Sequence, residues 1–362
     1  MRREIFRSPA ERALDVLRRA PVVHLASTTP DGAPVLRALD AVLLEDGVYF
    51  HGARAGEKVR CLGRPAVVSA EEVVAHVPSW MIHPTEPCPA STFYRSVQVH
   101  GTLREVTDPA AKARVLEALM QRWQPEGRYL PLDHTRPQDG RELAATLVFA
   151  VDLARVDGKE KLGQGRPPAE LLGILEGLWA RGAPGDLAAF EAIRAANPSA
   201  PTPPFLAAEG FRLEVALGAD DVPAVTALLR DEYWWEGQPA TLIGPAHLAS
   251  QAWVGARTPD GALVGSARAV SDGKNAWLYD VVVAAPARGR GLGKRLVERL
   301  LDHPAVRRTP FTWLRTRDAQ GLYARHGFVD AATRPPRWPG SSDMVRVRGA
   351  AAHPAARSDD HS

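Results

Sequence analysis

Cysteine is scarce in this chain of 362 residues: only Cys61 and Cys88 occur, without C-x-x-C spacing. Neither a disulfide framework nor a zinc knuckle is therefore indicated, and we expect no metal site. Long apolar runs are also missing, since none reaches the ~20 residues that a membrane helix requires. The first residues carry charge where a signal peptide needs an uninterrupted apolar stretch. We expect a soluble cytoplasmic protein without membrane contacts.

A strong excess of charge of one sign is absent as well. The 45 Lys and Arg residues are interspersed with 42 Asp and Glu residues, which leaves a net charge of +3. Nucleic-acid binding is not predicted, because it would require the basic residues to cluster in a patch or stripe. A modest positive balance suits a protein that handles phosphorylated cofactors, because positive potential concentrates anionic ligands.

The length exceeds what one hydrophobic core usually fills, so two domains are expected. Four prolines, at positions 198, 201, 203 and 204, fix the backbone and remove amide donors, which interrupts helix and sheet alike. The predicted organisation is a first domain at 8–196, a Pro-rich linker at 197–209, a second domain at 210–348 and a disordered tail at 349–362.

The first domain alternates strand patterns with turn signals such as Asp31-Gly32. Mostly antiparallel strands with few helices predict a β-barrel. Strands are predicted at 22–28, 35 onward, 41–44, 48–51, 66–71, 96–105 and 146–151, and helices at 9–19, 109–121, 168–181 and 185–196.

The second domain has a mixed α+β pattern, which gives α+β as the fold class of the whole chain. A helix is predicted from the cap Asp220 to Tyr233. The remaining predicted elements are strands at 211–216, 252–258, 263–270, 276–283, 311–316 and 344–347, a helix from the loop after 283 through 301, and a short helix at 319–326.

A glycine-rich turn, Arg288-Gly289-Arg290-Gly291-Leu292-Gly293, links a β-branched strand to an amphipathic helix. The turn therefore lies at a helix N-terminus, where free amides and the positive end of the helix dipole converge. Glycines let the main chain approach an anion closely. Arg288, Arg290 and Lys294 add charge that a purely structural turn does not need. Pyrophosphate is the expected ligand.

The residue spacing excludes two other kinds of phosphate-binding loop as interpretations of this turn. A dinucleotide fold requires Gly-x-Gly-x-x-Gly, yet Lys294 stands three residues after Gly291. A Walker loop ends in Gly-Lys-Ser/Thr, which is absent here. A structural strand-to-helix turn with incidental arginines remains the alternative.

The segment Val283-x-x-Pro286-x-Arg288-Gly289-Arg290-Gly291-Leu292-Gly293 resembles the Arg/Gln-x-x-Gly-x-Gly/Ala motif of the GNAT superfamily of N-acetyltransferases. Downstream, Tyr323-Ala324-Arg325-His326-Gly327-Phe328 is similar to the family's second signature. The resemblance implies a mixed-sheet acyltransferase domain that uses acetyl-CoA. It implies that amides after Arg288 bind the pyrophosphate and that the backbone of Val281 to Val283 pairs with pantetheine.

By the same resemblance, Tyr323 is the general acid that protonates the departing thiolate. A buried aromatic that packs against the sheet is the alternative. Asp280, Glu232 or Glu236 could take a proton from the acceptor ammonium through water, although each could also be a paired or solvated carboxylate. Trp234 and Trp235 form an aromatic patch that either stacks on a substrate or covers the core.

In the first domain, Tyr49-Phe50-His51-Gly52-Ala53-Arg54-Ala55-Gly56-Glu57-Lys58 places a strand end, small residues and a lysine together, as phosphate binding requires. It resembles the His-x-Ala-x-x-Gly-x-Lys segment of flavin-binding split barrels of the pyridoxamine phosphate oxidase-like superfamily, nitroimidazole-resistance branch. The segments at 93–101 and 158–166 resemble that branch's Tyr-Arg-Ser strand and closing Gly-Lys-x-Lys. The resemblance implies FMN and a homodimer. The implied FMN contacts are His51, Gly52, Ala53, Lys58, Arg95 and Ser96.

Three functions follow from these motifs. The leading hypothesis is an N-acetyltransferase that acts on a small-molecule or peptide amine, fused to an FMN-binding split barrel. A flavin-dependent oxidoreductase is the second. The third is a sensor whose barrel binds flavin or another ligand and whose transferase half responds. A strand-end histidine that only bonds a neighbouring carbonyl is the structural alternative for His51.

Overall fold

The computed structural model describes residues 4–333. The strand predicted at 344–347 and the tail predicted at 349–362 lie outside these residues. Within the described residues the chain divides into two units, the first ending at Leu314 and the second beginning at Arg315. The first unit contains two separate β-sheets. The first sheet ends before the predicted linker at 197–209, whereas the second begins inside it, with a short strand at Ala207–Ala208.

The first sheet is built from antiparallel pairs in the order β3-β2-β6-β7-β8-β5-β4, with β9 joining β7 to β1. Its strands are β1 (Arg7–Ser8), β2 (Val23–Thr28), β3 (Pro34–Leu39), β4 (Val42–Leu43), β5 (Gly47–Gly52), β6 (Pro65–Val77), β7 (Ser91–Val106), β8 (Leu147–Asp152) and β9 (Arg155–Lys161). The accompanying helices are α1 (Ala10–Arg19), α2 (Glu57–Arg60), α3 (Pro109–Trp123), α4 (Pro137–Ala145), α5 (Pro168–Arg181) and α6 (Asp186–Ala196).

Strand β7 turns this sheet into a barrel-type structure. Its first part pairs with β9 from Tyr94 to His100, and its last part pairs with β8 from Leu103 onward. The strand's alternation places Phe93, Val97, Val99 and Leu103 in the interior. Deeper in the core, Phe50 stacks on Phe149 at 5.3 Å between ring centroids. The predicted barrel class is confirmed.

The second sheet is mixed, because β14 and β15 pair in parallel while its other pairs are antiparallel. Its strands run in the order β10 (Ala207–Ala208), β11 (Phe211–Glu214), β12 (Ala252–Arg257), β13 (Leu263–Ser271), β14 (Asn275–Val283) and β15 (Phe311–Trp313). The helices are α7 (Val222–Leu229), α8 (Ile243–Leu248) and α9 (Leu292–Leu301), with α10 (Gln320–Ala324) in the second unit. The predicted α+β class is confirmed.

Helices cover both faces of this sheet. A Cβ built on Gly265 would lie 2.9 Å from Leu296, so glycine allows α9 to approach β13 closely. On the opposite face, Val225 and Leu229 of α7 pack with Ile243 of α8 and Val282 of β14. The sheet core therefore fixes the direction of α9, whose N-terminus follows the glycine-rich loop.

Helix α7 differs from the prediction at both ends. The amide of Gly218 donates to Asp221 at 2.9 Å, and Asp220 lies within the 3-10 turn that precedes the helix. The helix begins at Val222, with proline as its second residue, and ends at Leu229. Tyr233 starts a separate 3-10 turn that buries Trp235. The predicted helix from Asp220 to Tyr233 is thus too long, because a 3-10 turn precedes it and burial of Trp235 forms a separate turn after it.

A junction within the first unit joins α5 to the residues that follow α9. Trp179 Nε1 donates to Asp302 at 2.9 Å, and the indole stacks on Phe205 at 4.8 Å. The Arg307 guanidinium donates to the carbonyls of Trp179 and Ala180, both at 2.7 Å. A cation at these C-terminal carbonyls complements the helix dipole.

His303 at this junction gives a testable dependence of stability on pH. The side chain is 2% exposed, and burial followed by the nearby Arg307 charge lowers its pKa from 6.5 to about 4. Below pH 6.5 the unfolded chain binds a proton that the folded chain excludes, so stability falls as the pH falls. One pKa unit corresponds to about 1.4 kcal/mol, so about 3 kcal/mol is lost by pH 4.

Urea unfolding at several pH values between 7 and 4 tests this dependence, with His303→Asn as the comparison. The asparagine oxygen can replace Nδ1 as acceptor of the Ala305 amide, which lies 3.2 Å away, but does not titrate. We expect the variant to lose less stability than the native chain on acidification. Equal losses in both proteins would contradict the role of His303.

Candidate functional site

The glycine-rich loop has the backbone conformation that its glycines permit. Gly289 and Gly291 have φ values of 76° and 75°, in the left-handed region. A Cβ built on either residue would meet nothing within 4 Å. Gly291 directly precedes α9 as its N-cap residue. The loop surface is therefore open at the point where the helix starts.

The amides of this loop are not used by the rest of the fold. Within residues 4–333, the N–H groups of residues 289 to 294 donate to no backbone or side-chain acceptor. The first hydrogen bond of α9 runs from the Arg295 amide to the Gly291 carbonyl at 3.2 Å. Free donors at the positive end of a ten-residue helix make an anion site.

The three cations predicted around the loop have different partners. Arg288 donates to the Val283 carbonyl at 2.8 Å and to Glu232 at 2.9 Å, so its side chain folds back over the end of β14. Arg290 lies over the Phe211 ring at 4.3 Å. Among the described residues, Lys294 has only a 3.7 Å ion pair with Glu298. Arg290 and Lys294 line a cavity of about 320 Å³ beside the N-terminus of α9.

Strand β14 has an unpaired edge beside the loop. β15 pairs with it only at Asn275, Ala276 and Trp277. In the described part of the chain, no strand pairs with the same edge from Leu278 to Val283. Val281 and Val283 are half-buried there. An extended ligand with amide groups could add to this edge as an extra strand.

A β-bulge shapes that segment. Ser266 pairs with Val282 and Arg268 pairs with Tyr279, so the register shifts between them. Asp280 has a φ of 54°, which is uncommon for a residue with a side chain. Bulges redirect side chains and interrupt strand pairing. Here the bulge turns Asp280 toward the helix α7 side of the sheet, where it bonds Trp235.

Both oxygens of Asp280 are engaged. Oδ2 accepts from Arg268 Nε at 2.6 Å, and Oδ1 accepts from Trp235 Nε1 at 3.2 Å. The two charged side chains are 11% and 6% exposed. A buried pair of this kind acts as a mutual counter-ion, and removing either partner would leave a buried charge. This geometry favours a positioning role for Asp280 over the predicted role as base.

Arg268 and His247 were not identified from the sequence. Arg268 stands between two alanines in a largely buried strand. This pattern could have indicated a buried acidic partner, because a buried charge needs a counter-ion. His247 is 1% exposed and packs edge-on to Trp253 at 4.9 Å. Burial keeps the pKa of His247 below its ordinary value, so its imidazole is neutral near pH 7.

The remaining candidate bases lie outside this buried pair. Glu232 accepts from Arg288 and retains a second carboxylate oxygen, and its side chain is 22% exposed. Glu236 is exposed. Of the two indoles in the predicted patch, Trp235 is buried against the sheet core, while Trp234 packs edge-on to Tyr233 at 4.8 Å.

Tyr323 lies on α10 in the second compact unit. Its side chain is buried, and its ring packs edge-on to Phe328 at 5.8 Å. The amide of Ala319, just before the helix, donates to Thr316 Oγ1 at 3.0 Å. The role of Tyr323 as general acid stays a prediction.

In the barrel, His51 and Gly52 end β5, and Lys58 lies on α2. A Cβ on Gly52 would be only 2.6 Å from Lys58 Nζ, so glycine makes room for the lysine to reach the strand end. Lys58 has no ion pair with any residue between 4 and 333. His51 and Ala53 are exposed beside it. The Lys58 ammonium contacts the Phe149 ring at 5.7 Å but has no carboxylate partner among the described residues, and a cation of this kind beside a strand end fits a phosphate group.

Arg95 and Ser96 lie elsewhere, on the part of β7 that pairs with β6 and β9. Arg95 bonds Glu160 at 2.7 Å and approaches Glu72 at 3.7 Å. The described residues show no hydrogen bond or ion pair between this group and the His51–Lys58 group. The structure thus gathers four of the six predicted FMN contacts in one place.

No group of three or more His, Cys, Asp or Glu side chains within residues 4–333 is arranged to hold a metal ion. None of the helices in that range combines the length and apolar character needed to cross a bilayer.

Comparison with protein families gives two matches. Residues 9–160 match the family model described as pyridoxamine 5'-phosphate oxidase. Residues 249–330 match the model described as acetyltransferase (GNAT) domain. The second match includes β14, the glycine-rich loop, α9 and α10.

One curated relative is glucosamine 6-phosphate N-acetyltransferase 1 of Oryza sativa subsp. japonica, 44% identical over 59 residues. The match covers 16% of this chain and 36% of the relative, so the chain spans about a third of that protein. Its activity therefore does not transfer directly to the whole chain.

Similar solved structures divide between the two sheets. An FAD and heme binding protein from Mycobacterium smegmatis is 28% identical, with 45% of this chain and 76% of that one covered and a TM-score of 0.37. A protein assigned to the GNAT family, from Xanthomonas campestris pv. campestris, is 32% identical, with coverages of 38% and 95% and a TM-score of 0.32.

Proposed function

Since residues 9–160 form a pyridoxamine 5'-phosphate oxidase-like domain and residues 249–330 a GNAT acetyltransferase domain, we propose that the protein transfers an acetyl group from acetyl-CoA to an amine. The observation that carries the proposal is the row of partnerless amides from Gly289 to Lys294 beside the unpaired edge of β14. These two features suit the diphosphate and the pantetheine arm of one extended thioester.

Binding of acetyl-CoA would use main-chain groups for most of its length. The amides of residues 289 to 294 would receive the diphosphate, and Arg290 and Lys294 would add positive charge at the cavity beside α9. The pantetheine amides would bond the backbone of Val281 and Val283. Because these donors are already in place before binding, little ordering is required when the cofactor arrives.

The reaction requires attack on the thioester carbonyl by a neutral amine. A C–N bond forms, the C–S bond breaks, and the CoA thiolate takes a proton from the Tyr323 hydroxyl. The phenolate recovers a proton from the attacking nitrogen, which loses one as it becomes a neutral amide. The ammonium of the acceptor first loses a proton, and Glu232 is the carboxylate whose exposure and free oxygen suit this role through a water molecule. Asp280 and Arg268 would hold the bulged backbone and Trp235 in place.

The acid role of Tyr323 gives a direct test of the transferase proposal. Tyr323→Phe is expected to lower kcat about a hundredfold, the lower end of general acid contributions, with little change in KM for acetyl-CoA. The assay measures thiol release from acetyl-CoA with a panel of amines, amino sugars and peptide N-termini. Tyr129→Phe, which removes a hydroxyl bonded to Glu117 at 3.0 Å in the first domain, is the matched control.

Two results would decide against the proposal. Unchanged turnover in Tyr323→Phe with an accepted amine would remove the phenol from the chemistry. The absence of thiol release with every amine, from folded protein, would remove the transferase function itself. Reduction of bound flavin by a nicotinamide in that same preparation would favour the oxidoreductase alternative.

A second activity is supported by the Gly52 and Lys58 geometry. We propose that His51, Gly52, Ala53 and Lys58 hold the phosphate end of FMN, which supplies two-electron redox chemistry when bound. Arg95 and Ser96 lie on a different part of the barrel. We propose a homodimer in which these two residues of one copy complete the flavin site of the other.

FMN binding is tested by titration, followed by absorbance of the protein after desalting. Lys58→Gln is expected to weaken FMN binding about tenfold, because one charge-assisted contact to phosphate is lost. Lys274→Gln, an exposed lysine in the turn between β13 and β14, should leave it unchanged. Protein that retains no flavin absorbance after FMN is added would show that the barrel is a structural module.

A further inference from the structure

Three aromatic rings form a ladder on β14 and β15. Tyr279 lies 6.2 Å from Trp277 with 20° between the ring planes, and Trp277 lies 5.8 Å from Trp313 with 19° between them. Tyr279 and Trp313 are 41% and 40% exposed, and Trp277 is half-buried. We call these three residues the aromatic platform.

The strand register explains the alignment of the platform. Tyr279 and Trp277 are two residues apart on β14, so they share one face of the sheet. Trp277 pairs with Trp313 in the parallel ladder and with Val270 in the antiparallel ladder. Val270 is 42% exposed and extends the same apolar surface. The near-parallel ring planes make this surface flat.

The platform adjoins the unpaired edge of β14, along which the pantetheine arm is proposed to bind. Tyr279 directly precedes Asp280, the bulged residue, and both lie within the unpaired edge of β14. The Arg268 guanidinium lies 4.7 Å from the Tyr279 ring and bonds Asp280 at 2.6 Å. The aromatic surface is thus continuous with the strand that would carry the pantetheine arm and thioester.

The polar groups around the platform restrict what it can bind. Trp313 Nε1 bonds Asn275 at 3.3 Å, and Asp280 is already paired with Arg268 and Trp235. A polyamine would need available carboxylates, and a sugar would need several hydrogen-bonding side chains around its ring. A flat aromatic ring needs neither, because offset stacking on indole supplies the contact.

We propose that the aromatic platform is the acceptor-binding surface and that the acceptor is an amine with an aromatic ring. The ring stacks on Trp277 and Trp313, and the amine extends past Tyr279 toward the thioester. This inference rests on the proposed transferase function and adds the chemical class of the substrate. Exposed aromatic surfaces of this kind are otherwise unfavourable in water.

The test compares 2-phenylethylamine with 2-cyclohexylethylamine, which has the same carbon skeleton but no flat ring. Thiol release should give a kcat/KM about tenfold higher for the aromatic amine, the size expected for one or two stacked ring pairs. Trp313→Leu and Trp277→Leu should reduce this preference toward unity, because each removes an indole on which only the flat ring can stack. Trp80→Leu, an indole 55% exposed in the first domain, should retain the full preference.

Calorimetric binding of both amines in the presence of CoA separates this inference from the transferase proposal. If no amine is acetylated but the aromatic amine binds more tightly and loses that advantage in Trp313→Leu, the platform is upheld and the transferase proposal fails. Equal binding and equal turnover of the two amines would overturn the inference. A second copy of the chain could instead bind to the platform, and sedimentation of the Trp→Leu variants tests this alternative. If a dimer dissociates in these variants and the preference between the two amines does not change, the platform is an interface between copies and the inference is wrong.

Discussion

Replacing Gly291 by valine is expected to weaken CoA binding about a thousandfold, or about 4 kcal/mol. Gly291 has a φ of 75°, which a β-branched residue adopts only with strain. The new side chain would also stand in the space that is open beside the glycine. Two or three amide contacts to the diphosphate would be lost, each contributing about 1.5 to 3 kcal/mol.

Gly273→Val is the matched control for this variant. Gly273 has a φ of 83° in the turn between β13 and β14, and a Cβ there would likewise meet nothing within 4 Å. The two variants carry a similar backbone penalty, but the control leaves the loop before α9 intact. Isothermal titration of CoA into both proteins measures the difference. Equal affinities would mean that the loop is an ordinary structural turn.

Replacing Trp179 by alanine is expected to lower the free energy of unfolding by about 3 to 5 kcal/mol, as for other buried Trp→Ala changes. The indole is 6% exposed and contacts Phe190, Phe205 and His303. Its loss would also leave Asp302 without the indole hydrogen bond. The junction of α5 with the residues after α9 would lose its central side chain.

Urea unfolding of Trp179→Ala against Trp80→Ala measures this effect. Trp80 is 55% exposed, so the same substitution should cost less than about 1 kcal/mol there. A destabilisation of Trp179→Ala as small as that of the control would show that the junction contributes little to stability.

The local elements of the fold could be predicted from sequence because they depend on short-range patterns. The apolar spacing of α1 and α9 and the alternation along β7 set these elements within a few residues of their observed bounds. Strand β9 was not predicted as a strand, because charged residues occupy much of it and obscure the apolar alternation. Helix α7 was predicted too long, because a 3-10 turn precedes it and burial of Trp235 forms another turn after it.

The candidate site likewise has features that could be predicted from the sequence and features that could not. The loop from Arg288 to Gly293 could be predicted because consecutive residues form it, and glycine spacing limits its conformation. The pairing of Asp280 with Arg268 could not, because it depends on a bulge that brings together residues of two strands. For the same reason the six predicted FMN contacts fall into two groups, since sheet pairing rather than sequence distance decides which residues meet.

The aromatic platform shows most directly which contacts a sequence pattern does not reveal. Trp277 and Trp313 are far apart in sequence, and only the parallel register of β14 and β15 stacks their rings. A sequence pattern indicates that each residue lies on a strand, but not which strands are neighbours. The substrate surface therefore depends on sheet order.

The central claim is that main-chain amides before α9 bind a diphosphate, and calorimetry with CoA and with pantetheine tests it most directly. Pantetheine retains the arm that would pair with β14 but lacks the diphosphate and the nucleotide. The account predicts that CoA binds to the full chain at least about a hundredfold more tightly than pantetheine. Equal affinities for the two ligands, or no heat of CoA binding to folded protein, would contradict it.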